Sequence, residues 1–283
     1  MDLARTMRVT TQATALALLC SLALSLSRRH GFVPERESSE SSSVVEFDAP
    51  RLDRGEHFVV FGDSKDWFVW TEWCASLGYR VSRACKERPV ECSSYEHTDM
   101  LCVTEKGEPI VAMWMFYGVA LHPPYFFRYE TSHSIPHVPT DSIERLEYLL
   151  KFTRDEFNME KFVLFSSCAW DAERLVQLNQ AFDKVDWLKN ASTVISSLQR
   201  NNVSSLVLRT SQDVRRHPDL TRSLNEAMLE LSETMGLPLL NTSACLEGMD
   251  EQKRLRDETH PTPAAAVRIA YCASLLAAAL HYY

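Results

Sequence analysis

Glycine is scarce in this chain. There are eight among 283 residues, and none lies in the closely spaced run that cradles a nucleotide's phosphates. Positive charge is not in excess either. The formal net charge is -8, with a pI near 5.6, so the basic face of a nucleic-acid binder is absent and nucleic acid is excluded as a partner. No two cysteines have the C-x2-C spacing of a common zinc site. His122, His133 and His137 fall in one stretch, but without the helical spacing of a metal pair. Neither a metal nor an organic cofactor is expected. No internal repeat is visible, so solenoid and propeller architectures are excluded.

What is present is an ordinary globular balance, 45% apolar and 24% charged, in a chain long enough to bury a large core. The start stands apart. Arg5 and Arg8 precede an apolar run from Ala13 to Leu26, and Arg28, Arg29 and His30 follow it. Residues 1–30 therefore read as a signal peptide or signal anchor. The run of about 14 residues is short of the roughly 20 that span a bilayer comfortably, and basic residues on both sides leave orientation open. Residues 13–26 are the candidate membrane tether. The expected location is the secretory pathway, either secreted or as a type II anchored protein of the ER or Golgi lumen. Three N-x-S/T sequons, at Asn190, Asn202 and Asn241, are glycosylation candidates there. Cys74, Cys85, Cys92 and Cys102 crowd into one stretch, as in a disulfide-stapled insertion of an oxidising compartment. Four cysteines allow three pairings, and spacing does not choose among them. Outside the apolar run the cysteine count is odd, so at least one thiol is free or pairs with another chain.

Residues 31–54, with Glu35, Arg36 and Glu37 before a serine cluster, read as a polar linker. The folded domain is expected over 55–283, with a Cys-rich insertion at about 79–105. Within it short apolar strands alternate with longer helices. Strands are expected at 57–61, 109–117, 161–165, 205–209 and 237–240. Helices are expected at 66–77, 140–158, 171–199 with a possible break near Asn190, 219–235 and 263–279. Trp67, Trp70 and Trp73 repeat at helical spacing, as core residues do. This alternation predicts an α/β fold, a three-layer αβα sandwich around a mainly parallel sheet. In such sheets ligands sit beyond the carboxyl ends of the strands, so the turns after strands are the places to look for chemistry.

Two such turns stand out. Gly62-Asp63-Ser64 leaves the first strand just before a helix, where the Ser64 hydroxyl can face a cleft and its own N–H can point at a developing oxyanion. Serine is a weak nucleophile unless a base lies beside it. Arg256-Asp257-Glu258-Thr259-His260-Pro261 precedes the last helix. Asp257 and His260, three residues apart, can act as carboxylate and imidazole, completing a Ser-His-Asp set.

Together these motifs resemble the SGNH/GDSL hydrolase superfamily, nearest to the branch of PC-esterases, trichome-birefringence-like proteins and sialate O-acetyltransferase lumenal domains. Phe165-Ser166-Ser167-Cys168-Ala169-Trp170-Asp171 is similar to that branch's third motif. The resemblance implies Ser64 as nucleophile, Asp257 and His260 as its catalytic partners, and an oxyanion hole from Ser64, Gly118 and Ser166. Ser166 stands where the family has asparagine, and Gly118 is the best match to the family's oxyanion glycine. Asp63, Trp170 and Asp171 are pocket candidates, as are His122 and Tyr125 in the Pro/aromatic/His loop 121–139. That loop's aromatics would equally serve as core cover, and Trp170-Asp171 as a packing tryptophan with a helix cap.

The function these readings imply is a secretory-pathway serine esterase or O-acyltransferase acting on ester-substituted glycans or similar polar acyl esters. The alternative is a catalytically degenerate domain that binds glycan or protein. A purely structural secreted domain is the third reading.

Overall fold

The computed structural model describes residues 57–83, 99–116, 118–119, 142–159, 162–201, 203, 205–212 and 215–281. The expected leader and tether, the linker, Cys85, Cys92, His122, Tyr125 and Asn202 lie outside the described residues.

The elements run β1 (Phe58–Gly62), α1 (Ser64–Ser76), β2 (Arg80–Ser82), β3 (Asp99–Val103), β4 (Pro109–Met115), α2 (Ser142–Phe157), β5 (Phe162–Phe165), α3 (Cys168–Gln177), α4 (Lys184–Arg200), β6 (Ser205–Arg209), α5 (Pro218–Met235), β7 (Leu239–Leu240), α6 (Thr242–Cys245), a 3-10 turn at Glu251–Lys253, and α7 (Pro263–His281). The sheet order is β2-β3-β4-β1-β5-β6-β7. β4, β1, β5, β6 and β7 are parallel to their neighbours, while β2 and β3 extend the β4 edge antiparallel. The expected α/β fold with a mainly parallel sheet is the one observed.

Successive strand residues face opposite sides of a sheet, and here they feed two cores. Val59, Phe61, Trp114, Val163 and Phe165 pack with α2, α3, α4 and α5. Phe58, Val60, Met113, Phe162 and Leu164 pack with α1, α6 and α7. Both strand faces are therefore apolar, which is why β1 and β5 read as continuous hydrophobic runs. Of the tryptophans expected in the core, Trp70 and Trp73 are fully buried and Trp67 is partly buried beside them. By length and composition α7 is apolar enough to cross a membrane. In this fold its Ala265, Ile269, Ala270, Ala273 and Ala277 are buried in the second core.

Two expectations change. The region 79–105, expected to lack regular pattern, contains β2 and β3. A hydrogen-bonded edge forms because Asp99–Val103 is wholly buried beside β4. One disulfide is seen among the described cysteines, Cys74–Cys102, a pairing that spacing left open; it joins α1 to β3. The long helix expected over 171–199 is two helices, and the break is not at Asn190, which lies inside α4. It falls at 178–183, where Asn179 adopts a left-handed φ of 51° and Asp183 caps α4 by accepting from the N–H groups of Val185 and Asp186.

Candidate active site

All the parallel strands end at one edge of the sheet, and the site is assembled there. β1 ends in Gly62, and Asp63 stops the strand by capping α1. Its carboxylate accepts from the Lys65 N–H at 2.7 Å, while Asp66 returns a bond to the Asp63 N–H at 3.1 Å. This reciprocal capping box starts the helix at Ser64, two residues before the expected Asp66. The Ser64 N–H consequently sits in the first helical turn, where it has no intrahelical acceptor. Gly62 is required for this turn: a Cβ there would lie 2.1 Å from Asp66 Oδ2.

The turn containing Asp257 and His260 arrives from the other end of the chain. Asp257 Oδ1 accepts from the N–H groups of Thr259 and His260, each at 2.7 Å. Its Oδ2 lies 2.9 Å from His260 Nδ1. The opposite ring nitrogen, Nε2, is 3.2 Å from Ser64 Oγ across 196 residues of sequence. Burial pushes the Asp257 carboxyl up, but the hydrogen bonds from His260 and Thr259 outweigh it and bring it down to about 2. A carboxylate so held favours the proton on Nδ1 and leaves Nε2 free to accept from the hydroxyl. Phe68 packs edge-on against the imidazole at 4.7 Å, and the Arg256 guanidinium lies over that phenyl ring, 3.8 Å from its centroid.

Deep to the serine is a charged layer. Asp66 and Arg209 form a fully buried ion pair at 2.6 Å. Burial drives the Asp66 carboxyl up to about 6, opposed by Arg209 and reinforced by Asp63. Lys65 is also buried and donates from Nζ to Ser211 Oγ.

The remaining candidates divide. β4 and β5 are the two neighbours of β1, so Gly118 and Ser166 follow the strands on either side of the Ser64 turn. Ser166 donates its N–H to the Phe61 carbonyl at 2.8 Å. Its buried hydroxyl has no partner among the described residues. Gly118 has a φ of +105°, and a Cβ there would meet Asp171 Oδ1 at 2.2 Å. Asp171 is itself a buried brace. It accepts from the Val119 N–H at 2.9 Å, Ser167 Oγ at 2.6 Å and Trp187 Nε1 at 2.8 Å, so it shapes the turn after β4 instead of lining a pocket. Trp170 directs its Nε1 to Met115 Sδ at 3.3 Å. Asp63 is likewise buried as a cap. Sequence reasoning missed Asp66, Phe68, Arg209, Gln212 and Arg256. The D-x-x-D spacing of a capping box marked Asp66, and Arg209–Gln212 follows a strand, as the other site turns do.

An acidic residue orienting an imidazole that reaches a hydroxyl can generate a nucleophilic alkoxide without a metal. Comparisons with known proteins bear on the fold alone. No family model and no curated protein matches the chain. Among solved structures it is similar to Est24, a carbohydrate acetylesterase from Sinorhizobium meliloti, at 10% identity, covering 80% of this chain and 99% of that one with a TM-score of 0.46. A GDSL-like lipase from Bacteroides thetaiotaomicron gives 12% identity, 83% and 92% coverage and a TM-score of 0.44. A carbohydrate esterase family 3 protein from Talaromyces cellulolyticus gives 10% identity, 81% and 99% coverage and a TM-score of 0.46. The site assignment rests on its own geometry.

Proposed function

We propose that the chain is a serine esterase or O-acyltransferase of the SGNH/GDSL type, acting on acyl esters of glycans or similar polar molecules. The observation that carries this reading is the continuous Ser64–His260–Asp257 contact, 3.2 Å and then 2.9 Å. In the proposed reaction His260 Nε2 takes the Ser64 proton as Oγ attacks the acyl carbonyl. The same imidazole then protonates the departing alcohol. The acyl-enzyme is released to water, or to a sugar hydroxyl in the transferase version, with His260 again as base. The Ser64 N–H, together with Gly118 and Ser166 in the turns after the flanking strands, are the proposed oxyanion donors. The substrate class and the nearest branch follow from the motif resemblance.

Placement in the secretory pathway is supported by the basic–apolar–basic start and by the Cys74–Cys102 disulfide. Asn241 is exposed at the N-terminus of α6, as a glycosylation site must be. Asn190 is half-buried on α4.

A fluorophosphonate probe tests the chemistry. Wild-type protein should be labelled at Ser64, and Ser64→Ala and His260→Ala should lower kcat on p-nitrophenyl acetate by at least about 10³-fold while melting normally. The second reading, a degenerate binding domain, is favoured by Ser166 in place of the family's asparagine. An unlabelled but folded wild type decides for it.

A further inference from the structure

The turn that carries His260 is made mostly from its own backbone. Arg256 donates its N–H to the His260 carbonyl, Thr262 to the Arg254 carbonyl, and Leu255 pairs with Pro261. These bonds shape the turn but do not fix its distance from Ser64. Besides the Ser64–His260 contact itself, its carbonyls at Glu258 and Thr259 are held by the stretch after β6. Arg215 and Arg216 donate their N–H groups to the Glu258 carbonyl at 3.0 and 3.3 Å, and Gln212 Nε2 donates to the Thr259 carbonyl at 2.9 Å. The two arginines are exposed, whereas Gln212 is 1% exposed. Its bond comes from a buried side chain and lands on the residue next to His260.

Gln212 is anchored from behind. Asn225 brackets the adjacent Ser211, accepting its N–H at 2.8 Å and donating to its carbonyl at 2.9 Å. One residue earlier Thr210 accepts from the Thr242 N–H at 2.9 Å and from its hydroxyl at 2.6 Å. Before that comes Arg209, paired at 2.6 Å with Asp66, which holds the Asp63 N–H and so the turn that presents Ser64. Four consecutive residues therefore grip the nucleophile turn at one end and the histidine turn at the other.

We propose that Gln212 is a positioning residue for His260, its side-chain amide setting the imidazole's distance from the Ser64 hydroxyl through the Thr259 carbonyl, on a segment that Arg209 locks to the serine turn. This role rests on the esterase reading. A buried glutamine that only satisfies a carbonyl would affect stability and leave catalysis alone; a positioning residue must affect the chemical step. Displacing a catalytic group by about 1 Å costs on the order of 10²-fold in rate.

The test is Gln212→Met in the full chain. Methionine keeps the length and bulk but has no N–H to donate. The expected result is a fall of about 10- to 100-fold in kcat on p-nitrophenyl acetate and in the rate of fluorophosphonate labelling. KM should stay within about twofold and secondary structure should be unchanged. Gln212→Leu, which also lacks the donor, should show the same split. Folded Gln212 variants that label and turn over at wild-type rates overturn the positioning role alone. So do variants of both kinds that fail to fold, since Gln212 would then be a structural residue. A wild type that neither labels nor hydrolyses the ester overturns the esterase reading and this role together.

Discussion

Asp257 is half exposed, with 47% of its side chain accessible, yet it gathers two backbone N–H groups and the imidazole. Its pKa is brought below the ordinary 3.8 to about 2. A group depressed in this way contributes stability that is complete above the unfolded value and is lost as pH falls through the folded one. Wild type should therefore keep its full Tm advantage over Asp257→Asn at pH 5, above both values. The gap should close between about pH 4 and pH 2, as thermal melts across that range will show. The catalytic candidates Ser64, Asp257 and His260 were legible in the sequence because each sits in a short local motif. Asp171 was legible as a residue but not as a brace. Its partners Val119 and Trp187 lie 52 and 16 residues away, and nothing in the local pattern points to them.

At the level of elements, continuous apolar runs located every strand of the parallel sheet; β1, β4, β5 and β6 are buried on both faces, and β7 is half-buried. They failed at β2 and β3. Arg80–Ser82 is too short and too exposed to carry a pattern, and pairing to β3 rather than intrinsic preference makes it a strand. The Cys74–Cys102 disulfide ties that edge to α1 across a separation of 28 residues. A loop of this length is worth about 3–4 kcal/mol in the chain-entropy account. Cys102→Ser, or full reduction, should lower Tm on the order of 10 °C, and the loss should be smaller where the variant's unfolded state retains structure. Differential scanning calorimetry with and without reductant measures it. Non-reducing peptide mapping should recover the Cys74–Cys102 cross-link.

Across the whole molecule, the sheet separates two cores, and the charged layer under Ser64 lies at its carboxyl edge. The Asp66–Arg209 pair spans that edge from the first turn of α1, just after β1, to the end of β6. Removing one partner of a buried pair leaves an uncompensated charge and costs about 3–5 kcal/mol. Arg209→Met should show this loss, and with a pH dependence of definite sign. Burial already raises the Asp66 carboxyl to about 6 against the pull of Arg209, so without that pull it rises further. The folded variant then holds a proton that the unfolded chain releases above 3.8, and stability falls as pH rises. The deficit measured by urea titration should be larger at pH 8 than at pH 5; an equal deficit at both would count against an ionised Asp66.

The sequence by itself determined the layer architecture, the strand order of burial and the residue types at the serine, histidine and aspartate. These follow from periodicities of two and 3.6 residues and from motifs a few residues long, which are local properties. Tertiary structure decided which distant turns share an edge of the sheet. It brought Ser64 to His260, placed Gly118 and Ser166 in the turns after the flanking strands, and paired Asp66 with Arg209 and Gln212 with Thr259. Those contacts join positions 47 to 196 residues apart. They exist only because parallel crossovers stack the strand ends at one side, and a linear pattern carries no record of that.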